Sequence, residues 1–274
     1  MTKLPNDQMI RFFKAHAYGN DFLYVLQSDV NDAPIEALAR RMCDRHAGIG
    51  ADGLITFTPT AAGASMQLFN ADGSRAEVSG NGVRGLAAIL LRNDPRASPE
   101  VTIDSEGGSK HLTRLDRYGA RHMFRAAMGL PADLREATLD AGGETLRAAV
   151  MTFGNPQCVV VGALPEGDRF RRLGPALETH AMFPERTNVE FAAVERVDRV
   201  RILIWERGVG PTQSSGTGSC AALIAASAFG GAAREATVIA PGGSQQVEWR
   251  DDSVYLTGWA EILAGGEWIA ESPY

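Results

Sequence analysis

Cysteine is scarce in this sequence. The three residues present, Cys43, Cys158 and Cys220, are an odd number without paired spacing, which argues against a disulfide framework. The five histidines (His16, His46, His111, His122 and His180) are scattered, so no ligand set for a metal ion is expected. No apolar run reaches membrane length: the longest, from Cys220 to Ala233, is broken by Ser227 and two glycines. A basic cluster is missing as well. The net charge is −6 and the pI about 5.5, which speaks against a nucleic-acid partner. The opening stretch MTKLPNDQMIRFFK lacks the apolar core of a secretory signal. These absences describe a cytoplasmic chain that needs neither membrane nor nucleic acid.

What is present is enough for a sizeable core. The 274 residues correspond to just under two domains at roughly 150 residues each. Apolar residues make up 45% and charged residues 22%, ordinary for a globular protein. Glycine is the outlier, with 30 residues where a usual share of about 7% would give fewer than 20.

Much of that glycine belongs to an internal repeat. Gly19-Asn20 recurs as Gly154-Asn155, and Phe69-Asn70 as Trp205-Glu206. Ser79-Gly80-Asn81-Gly82 recurs as Ser215-Gly216-Thr217-Gly218, and Gly107-Gly108 as Gly242-Gly243. Four features in order at a near-constant offset indicate duplication. The chain therefore reads as two similar halves facing each other across a cleft, a preferred place for a ligand.

Short β-rich runs recur through both halves, among them Phe22–Leu26, Met66–Phe69, Val189–Phe191 and Val200–Trp205. Ile35, Leu38, Ala39 and Met42 follow helical spacing. After each S-G-x-G comes an almost wholly apolar segment, Leu86–Leu91 and Ala221–Ala228, predicting a helix buried inside its own domain. Residues 125–150 read as a linker with a strand or two.

A glycine-rich start to a buried helix lets the backbone approach a ligand. The first-turn N–H groups have no intrahelical partner, and the helix dipole favours an anion there. Two such starts would hold a carboxylate and aim Ser79 and Ser215 at it from opposite sides, suiting a reaction with one proton donor and one acceptor. Capping alone is the other reading of both serines. Asn20, Asn70, Asn155 and Asn188 sit at strand-to-turn junctions, where Asn is also a common turn residue. Glu206-Arg207 ends a β run before Gly208, placing the pair at a ligand or in a surface ion pair.

Several stretches together are distinctive. They are Gly19-Asn20-Asp21-Phe22, Gly48-Ile49-Gly50-Ala51-Asp52-Gly53, Phe69-Asn70-Ala71-Asp72-Gly73-Ser74 with Gly80-Asn81-Gly82-Val83-Arg84, and Gly154-Asn155-Pro156. Further on come Asn188-Val189-Glu190-Phe191, Trp205-Glu206-Arg207-Gly208-Val209-Gly210, Gly216-Thr217-Gly218-Ser219-Cys220 and Pro241-Gly242-Gly243. Across essentially its whole length the chain resembles the diaminopimelate epimerases. The resemblance implies an α+β fold of two pseudo-symmetric domains, each a barrel-like sheet around a central helix. It puts residues 1–122 with 264–274 in the first domain and 123–263 in the second, with the active-site cleft between them. It implies a cytoplasmic, cofactor-independent isomerase of lysine biosynthesis that moves the α-proton of a small amino acid, of the LL- to meso-diaminopimelate type, and a homodimer. The α-carboxylate would bind to backbone N–H groups of Gly80, Asn81, Gly216 and Thr217. Asn20, Asn70, Asn81, Asn155, Asn188, Glu206 and Arg207 would hold the amino and distal groups.

The departures concern the chemistry itself. The family carries a cysteine before each Gly-x-Gly, one thiolate as base and one thiol as acid, where this chain has Ser79 and Ser215. Gln157 stands where the family has an active-site histidine, and Arg75 where it usually has an acidic residue; Trp259 also differs. A hydroxyl ionises far above a thiol: even five units cost about 7 kcal/mol at about 1.36 per unit. A helix dipole returns only about 0.3–2 kcal/mol. The standard two-thiol mechanism is thus closed, and Glu206, with Glu77 or a serine-held water, becomes the candidate base if burial lifts its pKa. The alternatives are a divergent member acting on another small carboxylate, by isomerisation or dehydration, and a non-catalytic amino-acid-binding homologue.

Overall fold

Apolar residues alternating along short strands give each half a run of sheet that can bury one face against a helix only by curling around it. The structure, a computed structural model, describes residues 8–30, 33–76, 79–96 and 98–270. It divides into two units, one over Met1–Phe124 and Trp259–Tyr274, the other over Arg125–Gly258.

The first unit contains β1 (Gln8–Ala17), β2 (Asn20–Leu26), α1 (Ile35–Cys43), β3 (Gly53–Thr60), β4 (Gly63–Asn70) and the two-residue β5 (Arg75–Ala76). Helix α2 (Gly80–Leu90), β6 (Glu100–Ser105), β7 (Gly108–Tyr118) and β8 (Arg121–Ala127) follow, β8 carrying the chain into the second unit. β1 is antiparallel to β2, β2 parallel to β3, β3 antiparallel to β4, β4 parallel to β6 and β6 antiparallel to β7.

The second unit contains β9 (Ala132–Ala141), β10 (Glu144–Thr152), β11 (Pro156–Val161), α3 (Gly167–Glu178), β12 (Asn188–Arg196), β13 (Arg199–Glu206) and β14 (Gly210–Thr212). Then come α4 (Gly216–Phe229), β15 (Glu235–Ala240), β16 (Gly243–Trp249) and β17 (Val254–Ala270), which returns the chain to the first unit and pairs there with β1. From β10 to β16 the pairing runs antiparallel, parallel, antiparallel, parallel, antiparallel. This is the order of the first unit, so the fold is α+β with two pseudo-symmetric halves.

Each half encloses one helix. α4 is composed of small and aliphatic residues and is buried from Ser219 to Ala226, touching β10, β11, β12, β13, β15 and β16. α2 touches β1, β2, β6 and β7, and its close seat depends on Gly85: a β-carbon there would meet the Tyr24 hydroxyl at 2.0 Å. No helix among the described residues is long and apolar enough to cross a membrane.

Two elements differ from the sequence reading. Residues 125–150 are not a linker: they form the end of β8, all of β9 and most of β10, within the second unit. β9 is largely exposed and therefore carries Arg135, Glu136 and Asp140 instead of an apolar run. Helix α3 was not anticipated, because Gly174 and Pro175 interrupt its sequence. Its signal is Phe170, Leu173 and Leu177, spaced three and four apart and packed with Val189 and Phe191 of β12.

Candidate active site

In the first unit the site forms where β2, β3 and α2 meet. Ser79 is extended (φ −125°, ψ 122°) and caps α2, its Oγ accepting from the Gly82 N–H at 3.2 Å. The N–H groups of Gly80 and Asn81 in that first turn lack an intrahelical acceptor and remain for an anion. The Asn81 amide donates to Asn20 Oδ1 at 3.2 Å, and Arg84 donates to Asn81 Oδ1 at 2.5 Å. Asn20 in turn donates to Asp52 at 2.8 Å. Asp52 and the buried Asp21 share Arg45, and Asp21 also pairs with Lys14 at 3.0 Å. Burial works to raise the Asp21 carboxyl, but the hydrogen bonds and charges of Arg45 and Lys14 outweigh it and leave the group below its usual value. Asn20 and Asn81 are therefore held rigidly. Asn70 makes a separate contact: its amide donates to Ser74 Oγ at 3.0 Å inside the 70–74 turn.

In the second unit Ser215 caps α4 in the same way (φ −137°, ψ 131°), accepting from the Gly218 N–H at 3.1 Å. Thr217 Oγ1 lies 3.5 Å from Ser215 Oγ. Strand alternation decides which neighbours face α4. Val159, Ala192, Ile202 and Ile204 pack around that helix, so Gln157, Glu190 and Glu206, at matching positions on β11, β12 and β13, point the same way. Gln157 Nε2 donates to Asn155 Oδ1 at 2.6 Å, and the other end of the amide lies 3.2 and 3.1 Å from the Glu190 carboxyl oxygens. Burial raises the Glu206 carboxyl, with the Thr212 hydroxyl working the other way. Burial, then the charge of Glu206, pushes Glu190 up to about 8.

The turn bearing Glu206 and Arg207 is fixed from two sides. Asn188 Oδ1 accepts from the Arg207 N–H at 3.0 Å, and the Asn188 amide reaches the Pro156 carbonyl at 3.3 Å. Glu178, at the end of α3, accepts from Trp205 Nε1 at 2.8 Å and from the Gly208 N–H at 2.9 Å. Glu178→Ala leaves both donors without their carboxylate, and a charged hydrogen bond contributes about 1.5–3 kcal/mol. We expect thermal denaturation to register a loss of about 3 kcal/mol, and the substrate KM to rise as the turn loosens.

The candidates thus fall into two clusters, one per unit: Ser79, Gly80, Asn81 and Asn20, and Ser215, Gly216, Thr217, Gln157, Asn155 and Glu206, with Asn188 and Arg207 at its edge. Glu77 lies outside the described residues. Arg75 forms an ion pair with Glu106, and Trp259 packs on Tyr18 with a ring-centroid distance of 4.6 Å. Sequence reasoning did not single out Glu178 or Glu190. Glu190 had a signal: a carboxylate in an otherwise apolar run, where every residue from Asn188 to Ala192 is buried. Among the described residues no group of three His, Cys, Asp or Glu side chains is placed to hold a metal, and all three cysteines are buried.

Comparison with known proteins settles the relationship. The sequence pattern of the family described as Diaminopimelate epimerase matches residues 12–129 and 149–263. The chain belongs to the diaminopimelate epimerase family. It is 40% identical over 279 residues to the diaminopimelate epimerase of Desulforudis audaxviator, covering 95% of this chain and 99% of that one. Its identity to the diaminopimelate epimerase of Pelotomaculum thermopropionicum is 36% over 277 residues, 94% and 99% of the two chains. Among solved structures it is similar to a hydroxyproline epimerase from Agrobacterium vitis, with a TM-score of 0.70, 16% identity and coverage of 97% and 94%. A methylitaconate-delta-isomerase gives a TM-score of 0.69 at 11% identity, covering 97% and 96%. At these identities the structural likeness is one of fold.

Proposed function

We propose that this chain is a cofactor-independent, cytoplasmic amino-acid isomerase that moves the α-proton of diaminopimelate and interconverts its LL and meso forms. The observation that carries the reading is the pair of serine-capped, buried helices whose first-turn N–H groups are unclaimed among the described residues, in a member of this family. Such a helix start attracts an anion by about 0.3–2 kcal/mol. Gly80, Asn81, Gly216 and Thr217 supply these donors to the α-carboxylate. Asn20, Asn70, Asn155, Asn188, Glu206 and Arg207 hold the amino and distal groups. In this reading Ser79 and Ser215, one from each unit, are the two groups that exchange the α-proton. Gln157 orients the acid–base groups beside Ser215. The family resemblance supports a homodimer, which light scattering tests.

Incubation with diaminopimelate in heavy water is expected to place deuterium at Cα, read by mass spectrometry, with interconversion of the stereoisomers. The weak basicity of two serine hydroxyls favours a second reading, an amino-acid-binding homologue without turnover. Thermal stabilisation by diaminopimelate with no deuterium uptake would establish that reading instead. Stabilisation or exchange with another small carboxylate alone would move the substrate assignment.

A further inference from the structure

The two helix starts look alike, but what lies beneath them differs. At Gly82, three residues into α2, a β-carbon would meet Ile55 Cδ1 at 2.7 Å, Ser79 Cβ at 3.5 Å and Phe22 at 3.7 Å. At the matching Gly218 it would meet Glu190 Oε1 at 2.5 Å and Ser215 Cβ and Oγ at 3.1 Å. The repeat aligns Ile55 with Glu190 and Phe22 with Gln157. Hydrocarbon thus backs Ser79, whereas a carboxyl and an amide back Ser215.

We propose that Glu190 is the acid–base partner of Ser215, exchanging a proton with the substrate α-carbon through the serine hydroxyl. The inference rests on the α-proton chemistry proposed above. In the forward step the Cα–H bond breaks and its proton bonds to Ser215 Oγ, while the original Ser215 O–H proton passes to the Glu190 carboxylate. The electron pair stays on the α-carbon. In the reverse step the protonated Glu190 returns its proton to Ser215 Oγ as the serine protonates the carbanion. No free alkoxide forms, so the basicity that counts is that of the carboxyl.

The surroundings fit this role. Glu190 is fully buried on β12, with Gln157 and Cys158 of β11, Glu206 of β13 and, across Gly218, the cap residue Ser215 as its neighbours. Burial and Glu206 place the carboxyl at about 8, close to the roughly 8.5 of a free cysteine thiol. The Gln157 amide suits either state. A protonated Glu190 donates to the Gln157 oxygen while Gln157 Nε2 donates to Asn155, and an ionised Glu190 accepts from the amide nitrogen when the Gln157 and Asn155 amides turn over together, so that Asn155 then donates to the Gln157 oxygen.

The test uses Glu190→Gln, which keeps the shape and removes the ionisation. With the native chain, α-deuterium uptake from diaminopimelate is expected to rise with pH to a plateau above about 8. In the variant it is expected to fall by about 10²–10⁴-fold, the usual worth of a general base, and to lose that inflection. Equal rates with the same pH profile would overturn the assignment. A second measurement needs no turnover. Ser215→Cys supplies a thiol whose alkylation by iodoacetamide is followed against pH. Its profile is expected to show two inflections, one belonging to Glu190, and to become single in Ser215→Cys/Glu190→Gln. A single inflection in Ser215→Cys itself would refute the coupling even if the double variant failed to fold. Absence of deuterium uptake in the native chain, with coupled alkylation retained, would reject the proposed activity but not the Glu190–Ser215 link.

Discussion

Ser79→Cys is expected to raise the rate of α-proton exchange with diaminopimelate by about 10²–10⁴-fold, and Ser215→Cys by much less. The asymmetry follows from the two helix starts. At Ser215 the buried carboxyl of Glu190 lies beside the same glycine, so a titratable group is already at hand. At Ser79 the corresponding space holds Ile55 and Phe22, and a thiol there adds chemistry that the hydroxyl lacks. The helix start lowers a thiol from about 8.5 toward neutrality, which makes thiolate available near pH 7, and a positioned general base contributes about 10²–10⁴ in rate. Steady-state exchange in heavy water compares the two single variants directly. An equal gain from both would show that Glu190 contributes nothing at Ser215. No gain from Ser79→Cys, alone or with Ser215→Cys and Gln157→His, would show that the pocket no longer receives this substrate.

Gly218→Ala is expected to abolish exchange, by at least 10²-fold, and to cost the fold about 1–3 kcal/mol through overpacking. The loss does not come from the backbone, since alanine is favoured over glycine in a helix by about 0.8–1 kcal/mol and Gly218 has no left-handed backbone to preserve. The added methyl instead enters the space shared by Glu190 Oε1 and Ser215 Oγ, 2.5 and 3.1 Å away. The carboxyl is enclosed and cannot swing into solvent, so the methyl separates it from the serine and pushes against the helix cap. Thermal denaturation together with exchange kinetics checks both halves of the expectation. A variant that is stable and fully active would mean that no proton passes across this space. Since Gly218 lies in the turn that binds the carboxylate, the split between KM and kcat is also informative: loss in kcat with KM little changed points to proton transfer, loss in KM to the anion site.

Much of this molecule could be read from the chain alone, because the signals were local and repeated. The recurrence of S-G-x-G at a near-constant offset gave two halves and two buried helices, since a wholly apolar segment after a helix cap has nowhere to go but inside a sheet. The same motif left Ser79 and Ser215 as either caps or ligand-facing groups, and the folded chain shows both serines capping their helices. Tertiary structure was needed wherever a residue's meaning depended on what lies across from it. The apolar neighbours of Glu190 on β12 hint that it is enclosed, but its role as an acid depends on β11, β13 and the α4 cap closing around it. Asn70 and Asn81 are both plausible ligand residues in one dimension, yet one amide bonds within its own turn and the other joins β2 to α2. Glu178 acquires its role only when α3 folds against β13 and brings the carboxylate to the Trp205 and Gly208 donors. Composition and periodicity fix which faces are buried; desolvation and charge pairing arise only after distant strands meet, and they determine which buried groups can move a proton.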